Sequence, residues 1–98
     1  MQRRRIVYAP DARLDRINIA RWLTREASPE VARRFDRRIR EAIQSLEYGS
    51  ERGTVRDESL GLRVIGVLPT VTVAFSVGAD AVTVHRILHN GQNWLRST

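Results

Sequence analysis

The sequence predicts an α+β fold in which an N-terminal strand leads into a two-helix hairpin and then a three-stranded antiparallel meander. Three observations carry that expectation. Val71, Val73, Phe75 and Val77 alternate with Thr72, Ala74 and Ser76, the period of a strand with one buried face. Ser28-Pro29-Glu30 is a helix start, joining a hydroxyl cap, a proline at the first helical position and a carboxylate at the positive end of the dipole. Val31, Ala32, Phe35, Ile39, Ala42, Ile43 and Leu46 then fall on a single helical face.

Arg4–Ala9 is short and rich in β-formers, and it stops at Pro10, so it reads as the first strand. Pro10 or Asp11 opens the first helix. At ~100° per residue, Ala12, Ile19, Ala20, Trp22, Leu23 and Ala27 share the side that packs on the sheet. Arg16 falls among them, so its guanidinium must reach the rim or find a carboxylate, because burying it unpaired costs several kcal/mol. Leu14 and Ile17 point the other way, either as scattered surface residues or towards a partner.

The second helix is expected to run from Ser28 to about Tyr48, with Gly49 placed to close it. Its outer face carries Arg33, Arg34, Arg37, Arg38 and Arg40, relieved by Asp36 and Glu41. Glu30 with Arg34 and Asp36 with Arg40 have the favourable i, i+4 order. That face is either simply solvated or an electropositive docking surface. Residues 49–60 show no period and read as a connecting loop. Leu62–Leu68 is the next strand, stopped at Pro69, where the ring fixes φ and removes a ladder donor. Gly78-Ala79-Asp80 forms a short loop, with the glycine free to take φ > 0, before Ala81–Leu88 resumes as a strand.

Ninety-eight residues suffice for one domain, 1–98, burying roughly 60–65% of its unfolded surface. There is no cysteine, which removes disulfides and thiolate metal sites from consideration. The apolar run behind Arg3-Arg4-Arg5 is too short for a signal-peptide core or a bilayer span, so no membrane association and a cytoplasmic location are expected. The net charge is +6, and all 17 basic residues are arginine. Exclusive use of arginine reads first as genome composition, but the charge itself still attracts nucleic acid or an acidic protein over long range.

No phosphate-cradling glycine loop, HExxH or GxSxG is present, and no acidic cluster suited to Mg²⁺, so no cofactor is called for. His85 and His89, four apart on a strand, would share a face roughly 13 Å apart, which leaves no metal site. The polar set that remains is Arg63, His85, Arg86 and His89 on neighbouring strands. Arginines beside a histidine can hold a phosphate and move a proton near neutral pH, the minimum for cleaving RNA through its 2′-hydroxyl. A chain with this many arginines also produces such a neighbourhood by chance, and His89 reads first as a residue that closes the end of its strand through backbone hydrogen bonds.

Element order and local residues together resemble the ParE/RelE toxins of bacterial toxin–antitoxin systems. The resemblance rests on Ala12 and Asp15 ahead of Ile19-x-x-Trp22-Leu23, the Ser28-Pro29 helix start with its Phe35, Ile39, Ile43 and Leu46 face, Gly61-Leu62-Arg63-Val64, the alternating strand, and Ile87-Leu88-His89. Arg16 departs from it, standing where a leucine is usual. RelE-like members cleave mRNA on the ribosome with a basic cluster that commonly includes lysines; this chain has none, and its last aromatic is Trp94. The ending is more similar to ParE-like members, which poison DNA gyrase.

The resemblance therefore implies a gyrase-directed toxin, more a poison than an enzyme, neutralised by an acidic ParD-like antitoxin that orders as it binds. It implies antitoxin contacts at Leu14, Ile17, Arg33, Arg34, Arg37 and Arg38, and target contacts at Arg63, Arg86, His89 and Trp94. The alternatives are a ribosome-dependent endoribonuclease using Arg63, His85, Arg86 and His89, and a non-toxic nucleic-acid-binding module. Direct contact with nucleic acid stays open.

Overall fold

The computed structural model describes residues 3–59 and 61–89. Strand β1 (Arg5–Tyr8) leads into helix α1 (Pro10–Glu26) and helix α2 (Pro29–Gln44), which ends in a 3₁₀ turn at Ser45–Glu47. Four strands follow: β2 (Thr54–Asp57), β3 (Leu62–Leu68), β4 (Val71–Val77) and β5 (Ala81–His89). They form one five-stranded sheet in the order β1-β5-β4-β3-β2. β2 to β5 run antiparallel to their neighbours, whereas β1 lies parallel to β5, with Ile6 opposite Val82 and Tyr8 opposite Val84.

The predicted periodicities become the core. Val71, Val73 and Phe75 of β4 and Val82, Val84 and Ile87 of β5 are buried against Ala12 and Ile19 of α1 and Ile39 and Ile43 of α2. Leu46 closes the same cluster from the 3₁₀ turn. Phe35 packs against it half-buried, and Val31 and Ala42 are half-buried beside it on the helix. Ala27, expected on the packed side of α1, is exposed, because the helix ends at Glu26. Ser28 caps α2 as its chemistry predicts, its hydroxyl accepting from the Val31 N–H at 3.1 Å.

Three local expectations are corrected. The segment read as a loop holds an edge strand, β2, which makes the antiparallel meander four-stranded. Thr54, Val55 and Arg56 are all exposed, so an edge strand with no buried face leaves no alternation to read. Second, α2 does not run to a left-handed Gly49. Its last turn tightens to 3₁₀, and Arg52 ties the turn that follows, donating from Nε to the Gly49 carbonyl (2.9 Å) and from Nη2 to Ser45 Oγ (2.6 Å). Third, Gly78 keeps a negative φ; its N–H closes the β4–β5 turn onto the Ala81 carbonyl at 2.8 Å. The glycine that matters for backbone approach is Gly53, with φ 90°, where a Cβ would stand 2.5 Å from the Val64 carbonyl oxygen. No side chain fits where β2 enters the sheet there.

Arg4 ties the start of β1 to two turns. Its N–H donates to the Glu47 carbonyl (2.8 Å), its Nε to the Gly78 carbonyl (2.9 Å), and its Nη1 to the buried Ser50 hydroxyl (2.8 Å). No helix among the described residues is long and apolar enough to cross a membrane.

Candidate functional site

The end of the parallel ladder decides where the candidate polar residues go. β1 stops pairing when the Ala9 N–H bonds the Val84 carbonyl (2.9 Å) and Pro10 turns the chain into α1. β5 continues beyond it, so its next N–H groups on that side need another acceptor. Asp15, on the second turn of α1, supplies it: Oδ2 accepts from the Ile87 N–H at 2.8 Å. The same carboxylate takes both Arg86 bonds, Nε to Oδ2 at 2.8 Å and Nη2 to Oδ1 at 3.1 Å. This is a two-point pair, and it holds the Arg86 guanidinium above its ordinary pKa through the hydrogen bonds to Asp15.

A β-bulge makes that geometry possible. Ala74 pairs with Arg86 and Phe75 with Val84, which leaves His85 as the extra residue. The bulge also overturns the expectation that His85 and His89 share a face. His85 Nε2 lies 2.8 Å from Ser76 Oγ, on the face away from the helices. His89 sits opposite Val71 on the helix side, its ring edge-on to Trp22 (centroids 5.1 Å apart) and Phe35 (5.5 Å). An inserted residue shifts the strand period by one, and four residues no longer restore the same side.

Burial lowers the His89 pKa below its ordinary value, so the folded chain binds that proton less readily than the unfolded chain. Stability then rises with pH across this range and falls on acidification below about pH 6.5. Urea titrations at pH 7 and pH 5 are expected to show that loss, and His89→Gln should flatten it. An unchanged pH slope in the variant would assign the acid limb to other groups.

Arg63 stands apart from both histidines. It pairs with Phe75 and Val55 across β3, and its Nη1 donates to the Glu51 carbonyl at 2.8 Å. The four residues predicted as one polar set therefore point to four separate partners. Trp94 lies outside the described residues. No group of three or more His, Asp or Glu among the described residues is placed to hold a metal ion.

The helical hairpin presents the other candidates. Leu14 and Ile17 project from α1 with 52% and 47% of their surface exposed, as their spacing predicts. Arg33, Arg34, Arg37 and Arg38 are exposed along α2. Arg16, the residue that needed a partner, finds Asp36 of α2: Nε to Oδ1 and Nη2 to Oδ2, both 3.0 Å. Arg40 adds a third bond to Asp36 Oδ2 at 3.0 Å, realising the expected i, i+4 pair. Partial burial works to raise the Asp36 pKa, but the bonds from Arg16 and Arg40 outweigh it and hold the carboxyl below its usual range. Arg16 also lies over the Tyr8 ring, 5.3 Å from its centroid, so one guanidinium joins α1, α2 and β1.

Sequence reasoning gave no role to Asp15 or Ser76, although Asp15 was part of the spacing that carried the resemblance. It also missed a groove lined by Val31, Arg34, Phe35, Arg37, Arg38 and Glu41 of α2. The i, i+3, i+4 and i+7 spacing of Val31, Arg34, Phe35 and Arg38 was the available signal.

Such an arrangement defines a small, strongly basic α+β protein whose exposed features include the Leu14 and Ile17 side chains of α1 and the arginines of α2. The family model described as "ParE toxin of type II toxin-antitoxin system, parDE" matches residues 6–94, and the chain belongs to that family. The fold is similar to that of the chromosomal ParDE toxin–antitoxin system from P. aeruginosa, with a TM-score of 0.76 at 18% identity, covering 88% of this chain and 95% of that one. It is also similar to a chain of the E. coli DinJ–YafQ toxin–antitoxin complex, with a TM-score of 0.57 at 11% identity, covering 89% and 92%. No curated protein sequence matches the chain.

Proposed function

We propose that this ParE-family toxin acts in the cytoplasm by inhibiting DNA gyrase, and that a cognate acidic antitoxin neutralises it by folding onto the helical hairpin. Family membership supports the class of activity. The observation that favours gyrase over mRNA as the target is the dispersal of Arg63, His85, Arg86 and His89. A phosphoryl-transfer site needs its phosphate-holding and proton-moving groups within hydrogen-bond reach of one reacting centre. Here Arg86 is taken by Asp15, His85 faces Ser76 on the opposite side of the sheet from His89, and Arg63 is held by the Glu51 carbonyl.

The antitoxin reading is supported by charge: a net +6 surface attracts an acidic chain and loses that attraction as salt rises. Arg63, Arg86 and His89 serve the target-facing role as docking or positioning residues, and the exposed arginines of α2 serve the antitoxin.

The deciding experiment adds the purified chain to purified gyrase and relaxed plasmid. Dose-dependent loss of supercoiling, reversed by the protein encoded beside it, is the expected result. Intact supercoiling together with codon-phased cuts in translated mRNA would replace gyrase by the ribosome.

A further inference from the structure

We infer that the flank of α2 bearing Val31, Phe35, Arg34 and Arg38 is a socket for one acidic, amphipathic segment of the antitoxin, and that this flank, not the Leu14–Ile17 face of α1, is the specific seat. The inference rests on the antitoxin reading and narrows it to one face.

Asp36 turns towards α1, where Arg16 holds it. Val31, Arg34 and Arg38 lie about 140–160° around the helix from it, on the opposite flank. There Val31 and Phe35 are half-buried and line the floor of a groove whose rim is Arg34, Arg37 and Arg38, with Glu41 as the carboxylate among its lining residues. Such a floor accepts an apolar side chain, and such a rim accepts carboxylates spaced one helical turn apart. Arg33 with Arg37 and Arg34 with Arg38 are also like-charged i, i+4 pairs, which repel one another in the free chain. A partner that places carboxylates between them relieves that repulsion, so the charge pattern selects an acidic occupant. The apolar floor favours a protein over a nucleic acid, whose phosphate backbone offers nothing to fill it. Leu14 and Ile17 line no part of the groove.

Val31 offers a test that the fold tolerates. It occupies the third helical position, and its N–H already bonds the Ser28 hydroxyl. A glutamate there completes a capping box with Ser28 and sits at the positive end of the helix dipole, while placing a carboxylate on the groove floor. Binding of the full-length chain to the full-length protein encoded by the adjacent gene is measured by calorimetry, with the Tm of each variant recorded alongside.

Val31→Glu is expected to keep or raise Tm and yet weaken Kd about 100-fold, and Arg34→Glu with Arg38→Glu should do the same to Kd and reduce its salt dependence. Leu14→Ser with Ile17→Ser should change Kd less than about threefold. An unchanged Kd for Val31→Glu, or a larger loss from the α1 pair, overturns the socket while leaving the antitoxin reading in place. Failure of the wild-type chain to bind the adjacent protein removes the antitoxin reading and its occupant together. Binding of a short DNA duplex that is lost in Arg34→Glu with Arg38→Glu, without protein binding, assigns the face to nucleic acid instead.

Discussion

Asp15→Ala is expected to destabilise the chain by about 3 kcal/mol, which for a domain of this size lowers Tm by roughly 15 °C. The carboxylate is 14% exposed and serves two elements at once, accepting both Arg86 bonds and the Ile87 N–H. Removing it takes both Asp15 hydrogen bonds from the Arg86 guanidinium and the acceptor from a strand N–H, just where β1 has left the sheet. The two losses separate experimentally. Asp15→Asn keeps an oxygen for Ile87 but no charge for Arg86, so it should recover part of the stability. Arg86→Ala added to Asp15→Ala should recover some as well, because it removes the part-buried charge that the Asp15 carboxylate had compensated. Thermal unfolding followed by circular dichroism reads all four proteins. A Tm for Asp15→Ala within about 2 °C of the parent, less than half a kcal/mol on the same conversion, would show that the contact contributes nothing and that α1 docks on β5 by apolar burial alone.

Phe75→Ala should have a still larger effect, roughly 4 kcal/mol. Phe75 is 0% exposed and stands on β4, the central strand of the sheet, within the cluster that joins Ile39 and Ile43 of α2 to Val73 and Val84. Truncation removes most of a ring and leaves a cavity that β-sheet hydrogen bonds on both sides keep from collapsing. A small domain has about 5–15 kcal/mol in total, so the variant should lie near the edge of folding. Phe75→Leu, which keeps most of the volume, should lose much less. Urea unfolding checks both, with an unchanged m-value expected while the variant remains two-state. A loss below about 1.5 kcal/mol for Phe75→Ala would mean that the core repacks around the missing ring.

Both substitutions show which parts of the molecule were legible beforehand. Phe75 was readable as a core residue from the alternation on β4, although the structure also fully buries Ala74, expected on the open face. The α2 stripe and the Ser28 cap were readable for the same kind of reason, since each depends on residues close together in the chain. Asp15 was visible only as a spacing within a resemblance. Its partner Arg86 is 71 positions away, and the sequence contains no local trace of where β1 stops short of β5. The four-residue polar set failed as a cluster for a related reason: one inserted residue at the bulge sends His85 and His89 to opposite faces. Edge strand β2 escaped notice because an exposed edge has no apolar pattern.

The sequence by itself determined the order of every element except β2, the core-facing stripes of α2 and β4, the cap at Ser28, the excess of positive charge and the resemblance that the family match bears out. These are properties of composition and short-range period, which a chain carries before it folds. The tertiary structure decided that Arg16 meets Asp36, that Asp15 completes the β5 edge and holds Arg86, and that Val31 and Phe35 floor a groove between arginines. Those outcomes depend on the register of strands and the docking of helices distant in sequence. A shift of one residue in either would send each of these side chains elsewhere.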